Sequence, residues 1–173
     1  AMNWYPASRK NRDRYLVDYD RIFEGTIGRI VDEVDPTRLY WPSSPSSGRN
    51  DYPVELHPSR GDSHYWRVWH ENASFDAFHD IAPRFCSEFG YQSFPSLDTV
   101  KTYAPRDEWN VTSPSLEHHQ KNRGGNSRIV EMMTRYFRMP DGFANFLYLS
   151  QVQQALGIKT AVEYWRHLRP TCM

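Results

Sequence analysis

The chain has 173 residues, and its 21 Lys and Arg balance 21 Asp and Glu, so the formal charge is zero. That length holds one ordinary domain, and the balanced charge offers no basic field for nucleic acid and no acidic field for a cationic partner. The longest apolar stretches, near Phe143 to Leu149, are broken by polar residues and too short to cross a bilayer.

Aromatic residues make up 15% of the chain, with six Trp and eleven Tyr. Flat aromatic faces suit the C–H faces of sugars, and they equally fill cores. Cys86 and Cys172 are too few to form a disulfide framework, and Cys86, in the apolar run Phe85–Cys86, is expected as a buried thiol. No charged-then-apolar start marks a signal peptide, so an exported protein would carry its signal upstream of Ala1. Asn72-Ala73-Ser74 and Asn110-Val111-Thr112 are glycosylation sequons and lean towards a eukaryotic secretory pathway.

In chain order, Leu16, Tyr19, Ile22, Phe23, Ile27, Ile30, Val31 and Val34 recur at three- and four-residue steps. They predict an amphipathic helix over 14–34, stopped by Asp35-Pro36. Arg38 to Trp41 reads as a short buried strand, and Ser43-Ser44-Pro45-Ser46-Ser47-Gly48 opens a long loop that lasts to about Ser63. His64 to Trp69 reads as a strand, Phe75 to Phe85 as a helix and Phe85 to Phe89 as a strand. Gly124-Gly125-Asn126 precedes a helix over 128–138. Pro140-Asp141-Gly142 is a turn, and a last helix is expected over 143–168 with a kink at Gly157. Strands alternating with helices are the grammar of an α/β fold with a parallel sheet. Three strands do not close an eight-stranded barrel, so the sequence fits a small open sheet or a part of something larger.

Ser87-Glu88-Phe89-Gly90 puts a carboxylate at the end of an apolar strand, just before a glycine turn. Gly61-Asp62-Ser63-His64-Tyr65-Trp66 brings His, Tyr and Trp to the neighbouring strand. The whole segment Phe85-Cys86-Ser87-Glu88-Phe89-Gly90-Tyr91-Gln92-Ser93-Phe94-Pro95 resembles the nucleophile segment of β-mannosidases in family 2 of the glycoside hydrolases. Further stretches resemble that family in the same order: Ser43-Ser44-Pro45 with Ser47-Gly48, Gly61-Asp62 with His64, and Tyr148-Leu149-Ser150-Gln151 with Gln154-Ala155. Met2-Asn3-Trp4-Tyr5 resembles the segment just after the family's acid/base motif.

The resemblance implies residues 1–173 as a partial catalytic (β/α)8 barrel, roughly strands five to seven with their helices. The acid/base Glu is expected just before Ala1 and the last strand just after Met173. It implies a retaining exo-β-mannosidase with Glu88 as nucleophile, acting on the terminal β-mannose of an oligosaccharide or glycan. In such enzymes two carboxyl groups about 5–5.5 Å apart flank the glycosidic bond. A phenol donating to the nucleophile would hold it charged, and Tyr65 on the neighbouring strand is the candidate. Trp4, His64 and Trp66 are candidate sugar-binding residues. Alternation sets Tyr65 opposite to His64 and Trp66, although a bulge would soften this.

No cofactor is expected. His118-His119 do not share a face and lack a completing ligand, so no metal is assigned there. Asp107-Glu108 and Glu131 read as solvated charges. The expected partners are the substrate and the remainder of the same enzyme, with no nucleic acid and no membrane. The expected location is the secretory pathway, secreted or lysosomal/vacuolar. The isolated piece should be unstable and inactive, with unpaired strand edges and one of two carboxylates. Competing readings are a β-glucuronidase or β-galactosidase of the same family, or a non-catalytic carbohydrate-binding protein.

Overall fold

A computed structural model describes residues 5–53 and 57–172. They divide into two compact units: residues 1–64, 83–87 and 171–173 form the first, and residues 65–82 and 88–170 the second.

In the first unit, α1 (Pro6–Lys10) leads into α2 (Arg12–Tyr19), a π-helical stretch (Asp20–Gly28) and α3 (Arg29–Val34). The predicted helix over 14–34 is therefore present, with wider winding at its centre. Its apolar stripe is not buried: Ile22, Ile27, Ile30 and Val34 all remain exposed. What fastens the helix is polar. Tyr19 donates to Ser43 Oγ at 2.9 Å, Tyr52 donates to Asp20 at 2.8 Å, and Tyr40 donates to the Phe23 carbonyl at 2.7 Å. The buried Glu24 accepts from Asn50 N at 3.0 Å and from Arg49 at 3.4 Å.

Two short strands, β1 (Ser63–Tyr65) and β2 (Cys86–Phe89), pair in a parallel sheet. Arg38 to Trp41, expected as a buried strand, has no strand structure; Leu39 is 83% exposed and Trp41 40%. Apolar character alone did not supply the neighbour a strand needs for its backbone. Cys86 is half-buried and not fully enclosed.

The second unit holds α4 (Arg67–His70), a 3₁₀ turn (Phe75–Asp80), α5 (Leu97–Val100), a 3₁₀ turn (Arg106–Glu108), α6 (Pro114–His119), α7 (Gly125–Tyr136) and α8 (Phe143–His167). β1 stops at Tyr65 and α4 begins two residues later, so half of the expected strand over 64–69 is helix. Phe78, Ile129, Met132, Met133 and Leu147 are fully buried. Around them Tyr65, Phe78, Phe89 and Trp165 pack edge-on or tilted, with ring centres 4.8–6.5 Å apart. Such contacts add about 0.5–1.5 kcal/mol per pair beyond burial.

Helix α8 runs unbroken through Gly157, where a Cβ would lie 2.8 Å from the Phe75 ring. Glycine costs a helix interior about 1 kcal/mol relative to alanine. Here it is kept because α8 and the 3₁₀ turn approach too closely for a methyl group. Gly157→Ala should therefore destabilise by about 1–3 kcal/mol despite the gain in propensity. Phe75→Leu in the same background should recover part of the loss, and a double-mutant cycle by urea denaturation measures the coupling.

Candidate active site

Glu88 is the third residue of β2 and its carboxylate is exposed. The Trp66 indole Nε1–H donates to its Oε2 at 3.2 Å. Trp66 lies just beyond β1, at φ −116° and ψ 9°, where the chain leaves the strand for α4. Next to Glu88 in sequence, Gly90 takes φ +153°, a conformation L side chains rarely adopt.

Tyr65 does not serve Glu88. It is buried, its hydroxyl donates to the Ala77 carbonyl at 2.5 Å, and its ring lies against Phe78 and Trp165. The expectation that Tyr65 orients the carboxylate is corrected: alternation along β1 turns it into the core, and the donor is Trp66. Burial pushes the Tyr65 phenol above its ordinary range, which keeps it a neutral donor.

The backbone after Glu88 is irregular and is held by side chains of α8. Gln154 Nε2 donates to the Tyr91 carbonyl at 2.6 Å, while its Oε1 accepts from Ser93 at 3.0 Å. Ser150 Oγ accepts from Phe94 N at 3.1 Å, and Gln151 donates to the Phe94 carbonyl at 3.2 Å. A cavity of about 420 Å³ lies in this unit, bounded by Trp66, Trp69, Tyr91, Gln92, Asn122 and Gln154. Its size and its mix of aromatic walls and amides suit one sugar ring.

In the first unit the centre is Asp62, buried just before β1. Its Oδ1 accepts from Trp41 Nε1 at 3.0 Å and Ser46 N at 2.7 Å. Its Oδ2 accepts from Ser44 Oγ at 2.6 Å and Ser87 Oγ at 2.5 Å. His64 Nε2 stands 2.8 Å from Ser44 Oγ, so His64 joins this network. Gly61 makes the approach possible: φ is +61°, and a Cβ would sit 1.9 Å from the Ser46 carbonyl. A cavity of about 520 Å³ opens beside it, bounded by Leu39, Trp41, Arg84 and Phe85 among others.

Burial raises the Asp62 carboxyl, but hydrogen bonds from Ser44, Ser87, Ser46 and Trp41 outweigh it, and the net shift is downward. Sequence reasoning gave Asp62 no role of its own. The signal that could have found it is an Asp fixed by a preceding glycine, opposite a loop full of hydroxyls.

Trp4 lies outside the described residues. Asn110 is exposed, with its Oδ1 accepting from Thr112 N and Oγ1, both at 3.2 Å. Asn72 is half-buried at φ +56°, and its Oδ1 is buried. His119 stacks on Tyr103 with ring centres 3.8 Å apart, and its Nδ1 lies 2.8 Å from the Ser115 carbonyl. Among the described residues, no helix is long and apolar enough to cross a membrane.

The chain is 31% identical to β-mannosidase of Capra hircus and 30% to that of Bos taurus, each alignment covering 97% of this chain and 20% of the relative. The crystal structure of β-D-mannosidase from Dictyoglomus thermophilum superposes with a TM-score of 0.78 at 32% identity, covering 88% of this chain and 18% of that one. The chain is similar to β-mannosidases over nearly its whole length and spans about one-fifth of theirs. No family model matches it.

The Asp62 network should be acid-sensitive. The folded carboxyl titrates below the ordinary value of about 3.9, so the unfolded chain binds the proton first. The stabilisation is complete above that ordinary value and is lost as pH falls through the folded one. Wild type should exceed Asp62→Asn by about 2–3 kcal/mol near neutrality, and the gap should shrink steadily below about pH 4. Urea midpoints taken across that range check it.

Proposed function

We propose that this chain is the nucleophile-bearing part of the catalytic (β/α)8 barrel of a retaining exo-β-mannosidase of glycoside hydrolase family 2. The observation that carries the reading is the Glu88 carboxylate, open to solvent at a strand end and held by a neutral indole donor. The likeness to β-mannosidases over nearly all of the chain supports the substrate class. The chain spans about one-fifth of those relatives, and the second carboxyl would come from the remainder of the enzyme. Ile22, Ile27, Ile30, Val34 and Leu39, all exposed, are of the kind that remainder would cover.

In the proposed reaction Glu88 Oε attacks the anomeric carbon of a terminal β-mannose as the glycosidic bond breaks. The acid/base carboxyl protonates the leaving oxygen. Water, deprotonated by that same group, then releases mannose with its configuration retained. Trp66 steadies the attacking carboxylate, and the cavity beside Trp66 and Tyr91 is proposed to receive the sugar. His64 is separately proposed as a sugar-binding residue. Trp4 is proposed as a stacking wall. The seat of the enzyme is proposed as the secretory pathway, secreted or lysosomal.

In the complete enzyme, Glu88→Ala should lower kcat by at least about 10³-fold with sugar binding largely kept. A 2-fluoro mannoside with a good leaving group should label wild type on Glu88, as read by peptide mapping. Azide should restore part of the activity of Glu88→Ala as the α-mannosyl azide. Label on another carboxylate, or inversion at the anomeric carbon, would rule the mechanism out.

The two sequons should behave differently on export. Asn110 is exposed and should carry a glycan, while half-buried Asn72 should be occupied less. Peptide mass analysis of enzyme secreted from eukaryotic cells, before and after glycan removal, compares them directly.

A further inference from the structure

The direction of every hydrogen bond around Asp62 follows from counting protons. A carboxylate only accepts, and Trp41 Nε1 and Ser46 N can only donate, so both bonds to Oδ1 are fixed in sense. The 2.6 and 2.5 Å contacts to Oδ2 are in the range of hydroxyl donors to a charged oxygen. Each serine hydroxyl has one proton, and Asp62 takes both. Ser44 Oγ can then only accept from His64, so the imidazole carries a proton on Nε2. The 3.2 Å approach of the Ser44 and Ser87 oxygens is held together by the carboxylate they share.

We propose that Asp62 is a positioning residue of the glycosidase reaction, acting on two groups at once. Through Ser87, which is peptide-bonded to Glu88, it fixes the course of β2 as the strand reaches the nucleophile. Through Ser44 it fixes the orientation and tautomer of His64. The proposal rests on the reading of Glu88 given above. Misplacing a reacting group by about 1 Å costs about 10²-fold in rate, so a strand anchor immediately before a nucleophile has kinetic consequences.

Asp62→Asn tests it at nearly constant volume. The two N–H donors on Oδ1 cannot reverse, so the amide nitrogen must face the serines. Ser44 and Ser87 then become acceptors, and Ser44 must donate to His64 Nε2. The substitution thus loosens β2 and inverts the imidazole tautomer.

In the complete enzyme, active sites are counted by stoichiometric 2-fluoro mannoside labelling, and kcat is expressed per labelled site. Asp62→Asn and Ser87→Ala should each lower kcat per site by about 10- to 100-fold; Ser87→Ala should change KM by less than about threefold, while Asp62→Asn, which also disturbs His64, should raise it. Ser87→Thr, which keeps the hydroxyl, should retain most of the wild-type value. If Asp62→Asn does not fold, the Ser87 pair decides alone. Wild-type kcat per site in Ser87→Ala, with losses confined to the number of sites or to the thermal midpoint, would overturn the proposal and leave Asp62 as support for the fold. Wild-type label on a carboxylate other than Glu88 would overturn the Glu88 reading and this proposal together. That failure is told apart because it appears before any variant is made.

Discussion

The first unit depends on burying one carboxylate, Asp62, and keeping it charged. Enclosing an ion is costly unless its lone pairs are filled, and four donors fill them here. The donors come from stretches with little else in common: Trp41, Ser44 and Ser46 lie in loop, and Ser87 lies in β2. A chain that must bring a serine-rich loop against a strand has few apolar side chains with which to do it. Ionic hydrogen bonds take over, and they add direction that hydrophobic contact lacks. Gly61 belongs to the same constraint, because any side chain there would collide with the Ser46 carbonyl. Gly61 and Asp62 are thus one requirement written in two residues.

The second unit solves a related problem with neutral groups. After Phe89 the chain abandons regular structure, and the backbone polar groups of residues 91–94 need partners that no strand supplies. Ser150, Gln151 and Gln154, spaced along one side of α8, provide them. This gives physical content to polar residues inside a helix that otherwise packs against an apolar core. Gln153 follows the same habit, donating from full burial to the Ile129 carbonyl at 3.1 Å. The helix therefore acts as a rail for an irregular segment, and its amides matter as much as its apolar face.

Local signals explain what could be read from sequence. The helix over 14–34, the last helix, β2 and the break at Gly124 each rest on periodicity or a breaker residue, and each is found within a few residues. The strand at 38–41 and the long strand from His64 failed for one reason. Aromatic and apolar character marks burial or adhesion, whereas a strand is defined by a partner that lies elsewhere in the chain. The short helices over 6–10, 97–100 and 114–119 carry little periodic signal in so few residues. Glu88 drew attention in the sequence because a carboxylate before a glycine turn is locally odd. Asp62 was not, because its meaning lies in hydroxyls up to 25 residues away.

The exchange of Tyr65 for Trp66 beside Glu88 shows how one residue of register alters chemistry. In a strand, neighbours face opposite sides, so when Tyr65 turns inward to Phe78 and Trp165 the next residue must turn out. The chain leaves β1 at that point, and Trp66 is free to swing its indole towards the carboxylate. A phenol in that place could in principle give up its proton and become a like charge. An indole N–H donates only and does not titrate at accessible pH. The indole proton that Trp66 gives to Glu88 therefore stays in place at any accessible pH. The tyrosine, buried and already committed to Ala77, is left to do what its ring does best, filling the aromatic core on which β1 rests.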